Sequence, residues 1–350
     1  MSAGARKLTV YLGERQRARG AFLADAIVDV YARRELRASL VLRGAEGFGA
    51  RHGYRTDRQL TLSEDLPLVV VGVDAAPRIE AALADVRALG LRGLVTVERA
   101  RLAPSPLALP AELDGQVKLT VYLGRREHAG GMPAFAAVVA LLRRHGVAGA
   151  TVLLGVDGTV RGTRERAAFL GRNARVPLMV ISVGEGARIA AALGELDGLL
   201  DAPLVTLERV RVCKRDGVRL AEPELAPPAP IAGLESRIKL TVYAGEQSRH
   251  RGEPLAPGLL RALRRDGFAG ATVLRGVWGY HGEHAPHGDT LWQLRRRAPV
   301  MLVAVGAPER AQRAFALIDA WTDATGLVTS EPVHAADGSA SASSGRNSSA

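Results

Sequence analysis

The string KLTVYLGE at residues 7–14 returns as KLTVYLGR at 118–125 and as KLTVYAGE at 239–246. A long fixed period means one unit built repeatedly, which settles the architecture before any chemistry is read. The first two copies lie 111 residues apart, and the second and third 121. At offsets of 111 and 232, Gly20 meets Gly131 and Gly252, and Gly44 meets Gly155 and Gly276. Val41-Leu42 falls in the same way on Val152-Leu153 and Val273-Leu274. Copies one and three stay in ungapped register to Leu66-Pro67 and Ala298-Pro299, whereas copy two has lost one residue by Val176-Pro177. Each copy closes on Leu-Val-Thr, at 94–96, 204–206 and 327–329.

Within each copy the pattern predicts strand, helix, strand, long loop, strand, helix, strand. Leu8, Val10 and Leu12 alternate as a strand that ends at Gly13. Phe22, Ala26, Ile27 and Val30 recur at helical spacing, as do Ile79, Leu83, Val86 and Leu89. Pro133 and Pro254 stand near the starts of the matching helices in copies two and three. This order is the ferredoxin-like plan, one four-stranded antiparallel sheet with two helices on one face. The other face carries Thr9 and Tyr11, repeated as Thr120 and Tyr122 and as Thr241 and Tyr243, and needs a cover. The expectation is an α+β chain of three tandem ferredoxin-like (βαββαβ) domains, covering one another around a pseudo-threefold axis. Their bounds are 6–102, 117–213 and 237–334, and the Ser/Gly/Ala-rich tail 335–350 is expected to be disordered.

Bulk properties agree with a soluble globular chain. Of the 350 residues 47% are apolar, mean hydropathy is +0.04, and no apolar run approaches the length of a membrane span. The start, MSAGARK, runs into a strand with no apolar signal core, and Cys213 is alone, so the expected setting is a reducing cytoplasm. The net charge of +11 would suit a polyanion. Only four residues are lysine (Lys7, Lys118, Lys214, Lys239), however, and the arginine excess reads as coding bias rather than a basic face.

Candidate sites lie where the second strand meets its loop. Arg43-Gly44 with Gly47-Phe48-Gly49, and Arg275-Gly276 with Gly279-Tyr280, offer close backbone N–H groups and a forked donor to an anion. Copy two keeps Gly155 but has Leu154 for the arginine, so the glycine also reads as a turn requirement. His281, His284 and His287, with Glu283 and Asp289, match no structural zinc spacing, and no metal site is assigned. Gly47-Phe48-Gly49 superficially matches an RNA-recognition core, but Ala50-Arg51 stands where a stacking aromatic belongs. No nucleophile–base set or isolated carboxylate dyad emerges, so no enzyme activity is expected.

The segment VLRGAEGFGARHGYRT at 41–56, followed by LSEDLPLVVVGVD at 62–74, resembles the bacterial family called domain of unknown function 190, itself similar to PII signalling proteins. Copy three shares the resemblance through ATVLRGVWGYHG at 271–282, and copy two keeps the strands with a divergent loop. The resemblance implies a PII-like trimer fused into one chain. It also implies a small ligand, an adenine nucleotide, held in clefts between copies, and no other cofactor. The implied protein partner, a membrane transporter being one class, would meet the long loops 45–65 and 277–297. Arg51, His52 and Tyr54, with Trp278, His281 and Trp292, are candidate contacts there. Two departures argue against an ATP-plus-2-oxoglutarate site. Ala50-Arg51-His52 replaces the family's Gln-Lys pair, and the stretch before the last strand lacks a Gly- and Lys-rich phosphate loop. The alternative is a scaffold that binds partners without a ligand; no nucleic acid and no membrane insertion are expected. Light scattering is expected to give the mass of one chain, 37.0 kDa, because the copies satisfy one another internally. A stable mass of three chains means that those contacts are made between molecules.

Overall fold

The computed structural model describes residues 4–49, 54–56, 65–160, 163–164, 176–281, 287–288 and 298–337. Copy one runs through an opening strand Ala5–Gly13, helix α1 Leu23–Arg33, a second strand Ala38–Phe48, a third Pro67–Ala75, helix α2 Ala76–Arg87 and a closing strand Leu94–Leu102. Copy two follows with Gln116–Gly124, α3 Ala134–Arg144, Gly149–Leu154, Pro177–Glu185, α4 Gly186–Leu199 and Leu204–Arg209. Copy three has Glu235–Gly245, α5 Leu255–Arg265, Ala271–Arg275, Pro299–Gly306, α6 Pro308–Trp321 and Leu327–Asp337.

The helices form where apolar residues recur on one face. In α1 that face is Leu23, Ala24, Ile27, Val28 and Tyr31. Phe22, which the spacing had put on it, is instead exposed, with the Arg17 guanidinium 4.4 Å over its ring. Each copy packs its helices on one side of its strands around a separate apolar core. The opposite sides of the strands meet in a fourth core that all three copies share, including Val71, Tyr122 and Val303. Both faces of a third strand are therefore buried. Val70 points to the helices while Val69 and Val71 point to the shared core, so 68–71 is a continuous apolar run and not an alternation.

Three separate ferredoxin-like domains packed as a PII-like trimer are not what the strands build, and that expectation is corrected. Among the described residues, nineteen strands are hydrogen-bonded into one sheet that crosses every boundary between copies. Within it, eight antiparallel strands of copies one and three close into a barrel. Starting at Ala5–Gly13, the path runs through Pro67–Ala75, Ala38–Phe48 and Ala271–Arg275. It continues through Pro299–Gly306, Glu235–Gly245, Leu327–Asp337 and Leu94–Leu102, and returns to the start. Copy two joins through Asp157–Val160 on the second strand of copy one and through Gly149–Leu154 on Trp278–His281. The physical reason is the edge. A second or closing strand that outruns its own copy has bare N–H and C=O groups, and the neighbouring copy's edge satisfies them. Because the sheet is common property, unfolding is expected to be one cooperative transition, coincident by far-ultraviolet circular dichroism and tryptophan fluorescence. Three resolved transitions would mean that the copies stand independently.

Candidate functional site

The register that pairs opening and closing strands places a lysine opposite a glutamate in each copy: Lys7 and Glu98, Lys118 and Glu208, Lys239 and Glu331. All six are buried, and they meet on the axis in a closed ring of alternating charge. Lys7 Nζ lies 2.9 Å from Glu98 and 2.7 Å from Glu208. Lys118 Nζ lies 2.7 Å from Glu208 and 2.5 Å from Glu331. Lys239 Nζ lies 3.1 Å from Glu331 and 2.5 Å from Glu98, which closes the ring. Each lysine thus bridges its own copy to the next. Burial lowers the Lys7 pKa, but Glu208 and Glu98 outweigh it and hold it well above the lysine range. Burial likewise opposes ionisation of Glu98, and Lys239, Lys7 and Lys118 overcome it, so its carboxyl titrates well below the usual range.

Above the ring a cavity of about 60 Å³ is lined by Thr9, Tyr11 and their counterparts in the other copies. That is room for about four waters. One oxygen each of Glu98, Glu208 and Glu331 lies within 4.8 Å of the others, a spacing that suits a cation. Three ammonium groups already neutralise those carboxylates, so the ring reads as structure and not as a metal centre.

The residues singled out in the sequence lie elsewhere. Arg43 is held by Glu14 at 2.8 Å and Arg275 by Glu246 at 3.1 Å. Gly44 and Gly47 belong to a strand, paired with Leu274 and Thr272 of copy three. A Cβ on Gly44 would come within 2.6 Å of Pro67, so the glycine there serves close packing. Phe48 is buried in the core of copy three, with Gly49 just beyond it. Gly276 donates its N–H to the Pro299 carbonyl, and a Cβ on Gly279 would strike the Ala150 carbonyl oxygen. Tyr280 is buried in the core of copy two, Trp278 packs beside it, and His281 bonds Asp216 at 2.7 Å. Tyr54 pairs with Phe48 through its backbone. Arg51, His52, His284 and Trp292 lie outside the described residues.

The open site is a cleft between copies one and two, of about 550 Å³, which no sequence motif marked. Its walls are Ala32, Glu35, Leu36 and Arg37 of copy one and Thr159 and 202–204 of copy two. Glu35 and Ala202 both have positive φ, 51° and 42°, and such strained positions often cluster at binding sites. At the repeat position of Glu35 the other copies have Gly146 and Gly267, also at positive φ, so this carboxylate is added against a backbone preference. Arg37 has no counterpart either, since Ala148 and Ala269 hold its place. Its N–H donates to Asp74 and its guanidinium, more than half exposed, lies 3.7 Å from the same carboxylate. The related contact of copies two and three leaves only about 30 Å³ around Tyr280, Ala148 and Leu327.

Glu98→Gln deletes one charge that faces Lys7 and Lys239, and is expected to lower stability by about 3–5 kcal/mol in urea unfolding. The pH profile follows from the signs. Glu98 and Glu331, both depressed, contribute stability that is complete above the unfolded carboxylate pKa of about 4.3 and is lost as pH falls through the folded values. Lys7 and Lys239, both raised, contribute stability that is complete below about 10.4 and is lost as pH rises through the folded values. The wild-type-minus-Glu98→Gln difference is expected to be level between about pH 5 and 10. A slope inside that window contradicts the ring.

Comparison with known proteins bears on kinship and not on the site. Among solved structures, aspartate kinase from Synechocystis is similar at 13% identity and a TM-score of 0.25, over 93% of this chain. At that score the likeness carries no argument, and the chain spans 43% of the kinase's length. No helix among the described residues is long and apolar enough to cross a membrane. The family domain of unknown function 190, described as "Uncharacterized ACR", matches residues 5–102, 116–212 and 237–335. The chain belongs to this family, as three tandem copies of it.

Proposed function

We propose that the chain is a regulatory protein that senses a small anionic ligand, an adenine nucleotide first among them, in a cleft between copies and signals its occupancy to a protein partner. The observation that supports this reading is the cleft between copies one and two. Its volume of about 550 Å³ falls in the range of small-molecule sites, and it brings together Arg37, Glu35 and the turn at 202–204. A guanidinium at the rim suits a phosphate, and the carboxylate beside it suits hydroxyl or amine donors on the same molecule. Arg37, which lines the cleft with its guanidinium more than half exposed, is the candidate anion contact there. The reading places the protein in the cytoplasm, where nucleotides are. A ligand-free scaffold is the second reading, favoured by the small volume around Tyr280.

Calorimetry with AMP, ADP and ATP is expected to give one site per chain and not three. Arg37→Ala is expected to weaken that binding at least about tenfold, the cost of a lost charge-assisted hydrogen bond. No binding by any of the three nucleotides hands the case to the scaffold.

A further inference from the structure

We propose that residues 221–234, the strap between copies two and three, form a pH-operated latch, shut while His334 is neutral and lifted from the seam of copies three and one when His334 takes a proton. The three copies supply the comparison internally. Each closing strand ends against the closing strand of the next copy, where Arg101 pairs with Leu207, Arg211 with Ser330 and His334 with Val97. Leu207, Ser330 and Val97 each directly precede a glutamate of the ring, so Arg101, Arg211 and His334 occupy one repeat position. At each seam this basic residue grips a linker. Arg101 holds Glu112 of the first linker at 3.2 Å, and Arg209 of the facing strand adds the Glu112 carbonyl and, at 3.0 Å, Asp114. Arg211 reaches Glu224 of the strap at 3.7 Å. Both of these grips join a guanidinium, which keeps its charge, to a carboxylate.

The third grip is of another kind. His334 is buried and hydrogen-bonds the backbone of Ala229, whose carbonyl also accepts from Arg99 Nη2 at 3.3 Å. Beyond that point Ile231 and Leu234 of the strap pack on the core of copy one. Residues 225–234 include no acid, and the strap's two glutamates, Glu222 and Glu224, pair with Arg219 and Arg211. The charged groups that act on His334 are Arg99 of the closing strand and Arg6 of the opening strand of copy one. Glu80 on α2 is bonded to Arg6, and Glu235 to Arg237. Ser236, opposite His334 on the opening strand of copy three, is neutral. Among the described residues, neither His334 Nε2 nor Ser236 Oγ has a hydrogen-bond partner. A proton on this ring is therefore a buried third cation beside two arginines, with no anion to answer it. By contrast, His145, His250 and His281 each stand beside a carboxylate, that of Glu195, Asp323 and Asp216. Burial, with Arg99 and Arg6, pushes the His334 pKa below the ordinary histidine value of about 6.5, and the bond to Ala229 opposes them only in part. The sign follows. The shut latch is fully favoured above about pH 6.5, and the shut-to-lifted ratio falls by up to about tenfold per pH unit below it, until the folded value is passed.

The experiment places a nitroxide on the full chain, in a Cys213→Ala background, at the exposed position Ala232→Cys of the strap or Ala111→Cys of the first linker. Spin-label mobility is read between about pH 8 and 5.5, where the charged ring is level, with circular dichroism as the check on folding. The label at 232 is expected to pass from immobile to mobile below about pH 6.5, and the label at 111 to stay immobile throughout. His334→Gln is expected to keep the strap shut at every pH, and His334→Arg to lift it at every pH. Adding Ala229→Glu to His334→Arg rebuilds the pair of the other seams and is expected to shut it again. A strap equally immobile at both ends of the range, or both linkers loosening together, overturns the latch. So does a His334→Gln chain that loosens with acid as the wild type does. If the variants do not fold, histidine NMR on the unsubstituted chain decides. His334 titrating below about 6.5 supports the latch, and titration at or above that value overturns it.

Discussion

Three ammonium groups and three carboxylates buried on one axis can exist only in one another's company. Removing either sign leaves a desolvated charge with nothing to answer it. The ring fixes more than charge balance. Lys7 needs a glutamate from copy two, Lys118 one from copy three and Lys239 one from copy one, so no two copies can complete it. A copy slipped by one residue along its opening strand would turn its lysine to the other face and strand the other five groups. The register of all three strand pairs is thus specified by one buried feature.

Around that axis the strands are stitched in two opposing senses. Second-strand ends pass from copy one to three, three to two and two to one. Closing-strand ends pass from one to two, two to three and three to one. Every contact between copies therefore has a donor strand from each side, and no copy is left with an edge that faces only itself. The pattern also sites the clefts, since each lies where a second-strand end meets the turn before a closing strand. Between copies two and three the hairpin of Arg211–Arg215 and Val218–Arg219 enters that place, with the Asp216 N–H on the Gly326 carbonyl. Lys214, the one lysine outside the ring, helps to hold it there by bonding Asp319 on α6.

The local elements were legible because their causes are local. The run at 68–73, the spacing Ile79, Leu83, Val86 and the repeated Leu-Val-Thr each declare a strand or helix within a dozen residues. What joins the copies is not local, and the triplicated pattern says nothing about whether Phe48 turns back on its own copy or crosses to the next. The ring did leave a trace. Three of only four lysines stand at one repeat position, and Glu98, Glu208 and Glu331 stand two residues after the threonine of each Leu-Val-Thr at another. In a chain that otherwise writes its basic residues as arginine, a lysine kept three times needs a reason, and a compact ammonium that two carboxylates can share is one. The cleft left no such trace, because its signature is difference between copies where the eye is drawn to sameness.

That difference is what a fused chain permits. In a symmetric trimer of identical subunits any substitution appears at all three contacts, so a residue that opens one cleft opens every one. Here Ala32, Glu35 and Arg37 change in copy one alone and Thr159 in copy two alone, and the four meet at a single contact. Features that stabilise the assembly remain triplicate: the ring, and the arginines Arg78, Arg188 and Arg310 that each donate to the carbonyl of Glu35, Gly146 or Gly267 after the first helix. Threefold identity is retained where the copies hold one another, and it is relaxed at the contact of copies one and two that opens into a cleft.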